Sequence, residues 1–505
     1  MKLPLIDVLT LLLYLTVMLA IGVYFARRNT STEEYFLGGR QFAGWVVGLS
    51  LVGTSISSVT FLAYPADGFK TAWLRYLPNL MLPLAALLAV RYFIPIFRRH
   101  NLTTAYEYLE LRYGPGVRVY GAATFILAQL VRISTILYLL SLLIQEVTGL
   151  DSTWSVVLAG GFVALYTIIG GIEAVIWTDV IQTIVLMLGG VLMLVVIVQA
   201  LPGGLGQVFD VARAANKLSF ADWNQGVSTP LTWDLSLLSK TGTMMLILGL
   251  TNWLTEYGSN QNVVQRYIAA RSDGEARKAV WVCVLASLPI WAFYMFLGTA
   301  LFVFYQQFPS VEAGQMLDGT RKAEEILPWF IVHEMPAGLS GIVIAAALAA
   351  AMSSLDSSIN AISTVGINDI YRRFLRRQAS DAHYLRVAHL IATLSSVLMI
   401  VGALAILRAD TTTLQDFGTI LVSLFGGGLF GLYAIAFCTD RIRGLLPWIG
   451  IGATLLFTGW TIALSNGWLQ GPAPFDLYYT TILANVVMVV GILAAWGLKR
   501  VMKRS

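Results

Sequence analysis

The chain has 505 residues, 57% hydrophobic and only 12% charged, with a mean hydropathy of +0.73. Soluble domains carry about 25% charged residues, so a water-soluble domain is excluded and a polytopic membrane protein is expected. The net charge of +5 belongs to cytoplasmic loops and gives no reason to expect nucleic acid as a partner.

The first apolar run, 5–26, is long enough to span and has no small-residue cleavage site, so it reads as a retained helix and not as a secretory signal. Further apolar stretches of about 20 residues follow at 43–66, 74–97, 117–148, 153–171, 174–200, 241–258, 275–305, 337–365, 383–407, 416–438, 445–466 and 478–498. This pattern predicts an all-α membrane protein with about 13 spans in one domain, 1–505. The positive-inside rule fixes its orientation. Basic clusters recur in alternate loops at Arg27-Arg28, Arg98 to Arg112, Arg266 to Lys278, Arg372 to Arg377, Arg441 and Arg443, and Lys499 to Arg504. Thirteen spans with the N-terminus outside put each cluster, and the C-terminus, in the cytoplasm. The segments 202–240 and 307–336 then lie outside and are too short for catalytic domains.

Polar residues interrupt these spans at a few places. In the second span, Gly53-Thr54-Ser55-Ile56-Ser57-Ser58 marks either close helix packing or an unwound segment whose carbonyls bind an ion. Five spans later Thr251 to Gln261 is a second interruption, the pattern of an inverted-repeat transporter. Arg132 and Asp179 are charged at membrane depth. They form either an internal salt bridge or part of an ion or solute path. Asp7 lies close enough to the surface to be solvated. The most informative run is Ser353-Ser354-Leu355-Asp356-Ser357-Ser358, inside an otherwise apolar helix. Helical spacing gathers Ser353, Asp356 and Ser357 on one face with Ser354 beside them. Four or five oxygens on one stripe suit a hard cation such as Na⁺.

Cys283 and Cys438 are far apart and the four histidines have no zinc spacing, so neither a disulfide framework nor a transition-metal site is expected. No histidine, lysine base or Gly-x-Ser-x-Gly elbow accompanies the serines, and no enzyme is expected.

Ser57 to Phe61, Thr104 to Glu110, Gly170 to Gln182, Val263 to Tyr267 and Ser353 to Ser358 together resemble the sodium:solute symporter family, most closely its bacterial sialic acid symporters. The resemblance implies a LeuT-like fold of two inverted five-helix repeats (43–200 and 241–438), with one helix before (5–26) and two after (445–498). It implies a sodium site built from Gly53, Ile56, Ala350, Ser353 and Ser354, and a possible second one from Asp179, Ser353, Asp356 and Ser357, where the sialic acid symporters carry serine in place of Asp356. For the solute it implies Ser55, Ser57, Thr60 and Arg132, the last as carboxylate partner. Asn79, Arg75, Tyr257 and Gln261 stand at further solute positions, and Glu256 would repel a carboxylate that it faced. The function implied is sodium-coupled import across a bacterial inner membrane of a small solute, foremost an anionic sugar such as sialic acid. A neutral sugar, a polyol, another small carboxylate and proton coupling are the alternatives, and a transporter-like sensor is a more distant one. One or two Na⁺ are the coupling ions, the lipid bilayer is the surroundings, and no obligate protein partner is expected.

Overall fold

The computed structural model describes residues 4–27, 31–224, 227–408, 427–465, 468–469 and 474–502. Its helices begin with α1 (Leu5–Ala26), α2 (Thr32–Leu37), α3 (Gly44–Ser55), α4 (Ser58–Lys70), α5 (Leu82–Leu88), α6 (Ile94–Arg99), α7 (Ala105–Tyr113), α8 (Pro115–Thr148), α9 (Ser152–Ala200) and α10 (Gly204–Ala214). They continue with α11 (Gly242–Ser259), α12 (Gln261–Ala269), α13 (Asp273–Gln307), α14 (Val311–Asp318), α15 (Ile326–His333), α16 (Leu339–Val365), α17 (Asp381–Arg408), α18 (Leu429–Cys438), α19 (Leu446–Ser465) and α20 (Thr480–Met502). A short antiparallel pair, Asp222–Asn224 with Val227–Thr229, lies between α10 and α11. A bilayer offers the backbone no hydrogen-bond partner, which is why long apolar segments close as helices.

Among the described residues nine helical runs are long and apolar enough to cross a membrane, or ten when α3 and α4 count as one bent span. The spans expected at 153–171 and 174–200 merge into α9, whose 49 residues would reach roughly 74 Å if straight, far more than a bilayer core. Gly171 breaks the run with φ +61° and ψ −163°, a conformation that glycine alone adopts readily. The start of the span expected at 416–438 lies outside the described residues, and α18 is its described part.

Two spans are interrupted in the same way. Ile56 is extended between α3 and α4, which meet at 59°, and the Ser57 hydroxyl accepts from Val59 N at 3.3 Å to start α4. Asn260 is extended between α11 and α12, and its Oδ1 accepts from Asn262 N at 3.0 Å. In each case a polar cap lets the chain leave one helix and begin the next without stranding buried amides.

The helix that carries the serine run, α16, is the most enclosed, with 94% of its apolar window buried. It packs against α9, α8, α17, α1 and α3. Its N-terminus corrects one expectation: Asp7 is fully buried, not solvated. Asp7 Oδ1 accepts from Gly338 N (2.9 Å) and Gly341 N (2.7 Å), and Oδ2 accepts from Ser340 Oγ (2.9 Å). A carboxylate on α1 therefore caps α16, where free amides and the helix dipole favour negative charge. Gly341 permits the approach, since a Cβ there would sit 2.7 Å from Asp7 Cα. A comparable clasp holds the end of α4. Buried Lys217 donates to the carbonyls of Phe69 (2.7 Å) and Thr71 (2.9 Å), with its ammonium 4.2 Å from the Phe302 ring centre. Burial pushes this ammonium down from 10.5 to about 7.

Candidate functional site

The break between α3 and α4 faces the serine run of α16. Ser353 Oγ lies 2.9 Å from the Gly53 carbonyl and 3.2 Å from that of Ala350, donating to both. Ser354 Oγ is buried and has no hydrogen-bond partner among the described residues. An orphaned buried hydroxyl on the turn next to Ser353 fits a cation ligand, because an oxygen ligand needs no donor once an ion is present. Ile56, the extended residue of the break, completes the segment. The donor set is all oxygen, which fits Na⁺ and does not fit a soft metal.

Beneath it lies a charge cluster that sequence reasoning divided wrongly. Asp179 does not pair with Arg132. Its Oδ2 accepts from Arg266 Nη2 (2.8 Å) and from Ser50 Oγ (2.6 Å), while Oδ1 is buried without a partner among the described residues. Arg266 is expected in a basic cytoplasmic loop, yet it is 1% exposed. The cause is the break at Asn260, after which α12 returns inward and carries Arg266 into the core. Its Nε donates to Ser50 Oγ (2.7 Å), Nη1 to the Asn262 carbonyl (2.8 Å) and Nη2 to Ser357 Oγ (2.5 Å). The guanidinium thus sits between two members of the expected second sodium set. Asp356 turns toward α9, accepting from Tyr166 Oη (2.7 Å) and Thr178 Oγ1 (3.4 Å) on Oδ2, and from Ser357 N (2.6 Å) on Oδ1. Two carboxylates and one guanidinium leave the cluster with one negative charge when all are ionised, which is one monovalent cation or one proton short of neutrality.

A cavity of about 1390 Å³ runs from Thr54, Ser55 and Ser57 at the break to residues 319–325 and to Pro328 and Trp329 of α15. Arg132 lines it, with Nη2 donating weakly to the Thr54 carbonyl at 3.4 Å. Arg75 lines it too, but its charge is met by Asp67 in an ion pair. Other expected solute residues stand away from this surface. Asn79 donates to Tyr64 Oη (2.7 Å), and Thr60 is buried. Tyr257 is 2% exposed against the core. Gln261 is fully buried: its Oε1 accepts from Ala105 N (2.8 Å) and its Nε2 donates to the Thr103 carbonyl (3.1 Å). Gln261 therefore ties the second break to the start of α7 and does not reach a solute. Glu256, Asn260 and Gln129 do line the cavity. For Glu256 and Asn260 the signal was the cluster of polar types around the second break; Gln129 is a polar residue in the largely apolar α8.

The segment 104–110 has a structural task. Glu110 and Glu107 clasp Arg118 (2.7 and 3.4 Å), Arg118 also holds Asp369 (2.6 Å), and Arg373 closes on Glu110 (2.5 Å). The Arg373 hydrogen bond leads in holding the Glu110 carboxyl below the usual range, whereas burial raises Glu107.

Comparison with known proteins places the whole chain. The family model described as "Sodium:solute symporter family" matches residues 35–434. The chain is 35% identical to the sodium/sialic acid symporter SiaT of Proteus mirabilis (strain HI4320) over 448 residues, 88% of this chain and 86% of the relative. It is 31% identical to the sodium/sialic acid symporter NanT of Aliivibrio fischeri (strain ATCC 700601 / ES114) over 494 residues, 97% and 93% of the two chains. A solved structure of a Na⁺-coupled sialic acid symporter in a substrate-bound outward-open state superimposes with a TM-score of 0.87 at 30% identity, covering 97% of this chain and 98% of that one. The family model and these relatives each cover most of the chain, and the chain is a member of the sodium:solute symporter family.

Proposed function

We propose that the chain imports sialic acid, or an acidic sugar of the same kind, together with sodium. The observation that carries this reading is Arg132, which presents a guanidinium to a cavity beginning at the α3–α4 break, beside the Gly53, Ser353 and Ser354 oxygens. A guanidinium holds a carboxylate bidentately, and its cost at membrane depth is met when it does so. Ser55 and Ser57, which line the cavity, would accept from and donate to sugar hydroxyls around it. The names of the two relatives and of the structural neighbour support the same solute.

Sodium would be held by the carbonyls of Gly53, Ile56 and Ala350 and the hydroxyls of Ser353 and Ser354. Because these ligands come from the broken span and from α16, the ion ties the two together. It thereby favours the conformer in which the cavity is open, a differential stabilisation of one state. The solute then closes the cavity, and sodium leaves on the side where its concentration is low. One charge moved through ~100 mV supplies about 2.3 kcal/mol, roughly 50-fold accumulation. An anionic solute cancels that term for a single sodium, so a second cation is needed for electrogenic uptake. Asp179, Ser353, Asp356 and Ser357 would take it as Na⁺, or Asp356 would take a proton; the hydrogen bond that Asp356 accepts from Tyr166 supports its carboxylate form, the one that would bind Na⁺.

The two like-built breaks support a chain of thirteen spans: two inverted repeats at 43–200 and 241–438, one helix before and two after. The alternating basic clusters support an N-terminus outside and a C-terminus in the cytoplasm of a bacterial inner membrane. The test is uptake of labelled N-acetylneuraminate into proteoliposomes. An inward sodium gradient should drive uptake where potassium alone does not, and Arg132→Ala should abolish it. Sodium-independent uptake, or full uptake by the variant, would refute the reading.

A further inference from the structure

The charges lining the cavity do not describe a site for a plain anion. Five lysines and arginines are matched there by five aspartates and glutamates, so an approaching carboxylate meets no net positive field. Two of these charges pair off as Arg75 with Asp67, and two more as Arg321 with Glu325. Nearest the α3–α4 break remain Arg132 and Glu256, which lie within electrostatic reach of each other.

Glu256 is not there to neutralise Arg132. The Arg132 guanidinium turns to the Thr54 carbonyl, and the Glu256 carboxylate is held instead by Asn260 Nδ2 at 2.8 Å, four residues on along the same helical face. Asn260 cannot turn its amide over, because its Oδ1 is committed to capping α12 at Asn262 N. The break that unwinds this span therefore also fixes the rotamer of Glu256. A carboxylate at membrane depth is costly. This one receives a single hydrogen bond among the described residues and leaves acceptor capacity turned to the cavity.

We propose that Glu256, positioned by Asn260, is a specificity-determining residue that accepts hydrogen bonds from hydroxyl or amino groups of the solute while Arg132 holds its carboxylate. The preferred solute is then an acid that also carries donors, and simple carboxylates are rejected because they leave Glu256 unmet. The inference rests on the acidic-sugar reading and deepens it. A donor bound to a charged acceptor gains about tenfold in affinity over the same donor on a neutral one.

The experiment is sodium-dependent equilibrium binding to the purified full chain, comparing N-acetylneuraminate with an analogue whose glycerol tail is shortened. Wild type and Glu256→Gln, which retains an acceptor for Asn260, are measured side by side, with the sodium-induced thermal shift as the check on folding. Wild type should prefer the full-length sugar by about tenfold, and Glu256→Gln should bring that ratio to within about twofold while binding the shortened analogue nearly as before. If both affinities fall equally, or the ratio is unchanged, the inference is overturned and the acidic-sugar reading stands. If wild type shows the sodium shift but binds neither acid, the solute reading falls, and this inference with it.

Discussion

The Arg266–Asp179 pair offers the sharpest test of how charge is arranged beneath the ion site. Asp179 Oδ2 takes hydrogen bonds from Arg266 and Ser50, and Arg266 spends its remaining donors on Ser50, Asn262 and Ser357. Both side chains are 1% exposed or less. Substituting one partner leaves the other buried without its direct charged hydrogen-bond partner, which costs about 3–5 kcal/mol, whereas replacing both by neutral residues costs much less. Asp179→Asn and Arg266→Met should each be strongly destabilising, and the double variant should be more stable than either. At an unfolding entropy of about 2.1 cal/mol/K per residue, 505 residues give roughly 1 kcal/mol/K, so each single change should lower the melting temperature by about 3–5 °C. The assay is thermal unfolding of the four proteins of the cycle in detergent, with sodium and with potassium. Additive losses would refute the pairing. So would an Asp179→Asn penalty that vanishes without sodium, since the carboxylate would then be held by the ion and not by the guanidinium.

Two further outcomes follow from the local geometry. Ser354→Ala removes a buried hydroxyl without a hydrogen-bond partner among the described residues, one of the proposed sodium ligands, so half-saturating sodium should rise about tenfold or more. Fold stability in potassium should barely change; a sodium titration of uptake reads the first outcome and thermal unfolding in potassium the second. Burial lowers the Lys217 ammonium to about 7, so between pH 7 and 10.5 the unfolded chain binds the extra proton and stability rises with pH. The melting temperature should climb from pH 7 to 9, and Lys217→Met should flatten that climb.

Much of the site was legible because apolar spans make any polar residue conspicuous. The serine run, the Gly53–Ser58 interruption and Arg132 stand out against their flanks, and each lies at the break, on α16 or on the cavity wall. What sequence alone misassigned were residues whose surroundings depend on a turn of the backbone. Arg266 reads as the first of a basic loop until α12 is seen to fold inward after Asn260. Gln261 reads as a solute contact until its amide is found bonded to Ala105 and Thr103. Pairing is not written in the chain either: Arg132 and Asp179 are two membrane-depth charges of opposite sign, and only packing shows that a third residue takes the aspartate.

The cap on α16 carries a consequence for the order of assembly. Asp7 and the amide of Gly341 are 334 residues apart in the chain, yet each satisfies the other. Since α1 precedes α16 in the chain, it carries the anion that the helix of the serine run must find when it is inserted much later. Until that meeting the free amides of α16 have no fixed counter-charge, so the serine-run helix reaches its final form only after α1 has waited for it. A helix that lies outside the candidate site is in this sense a template for it.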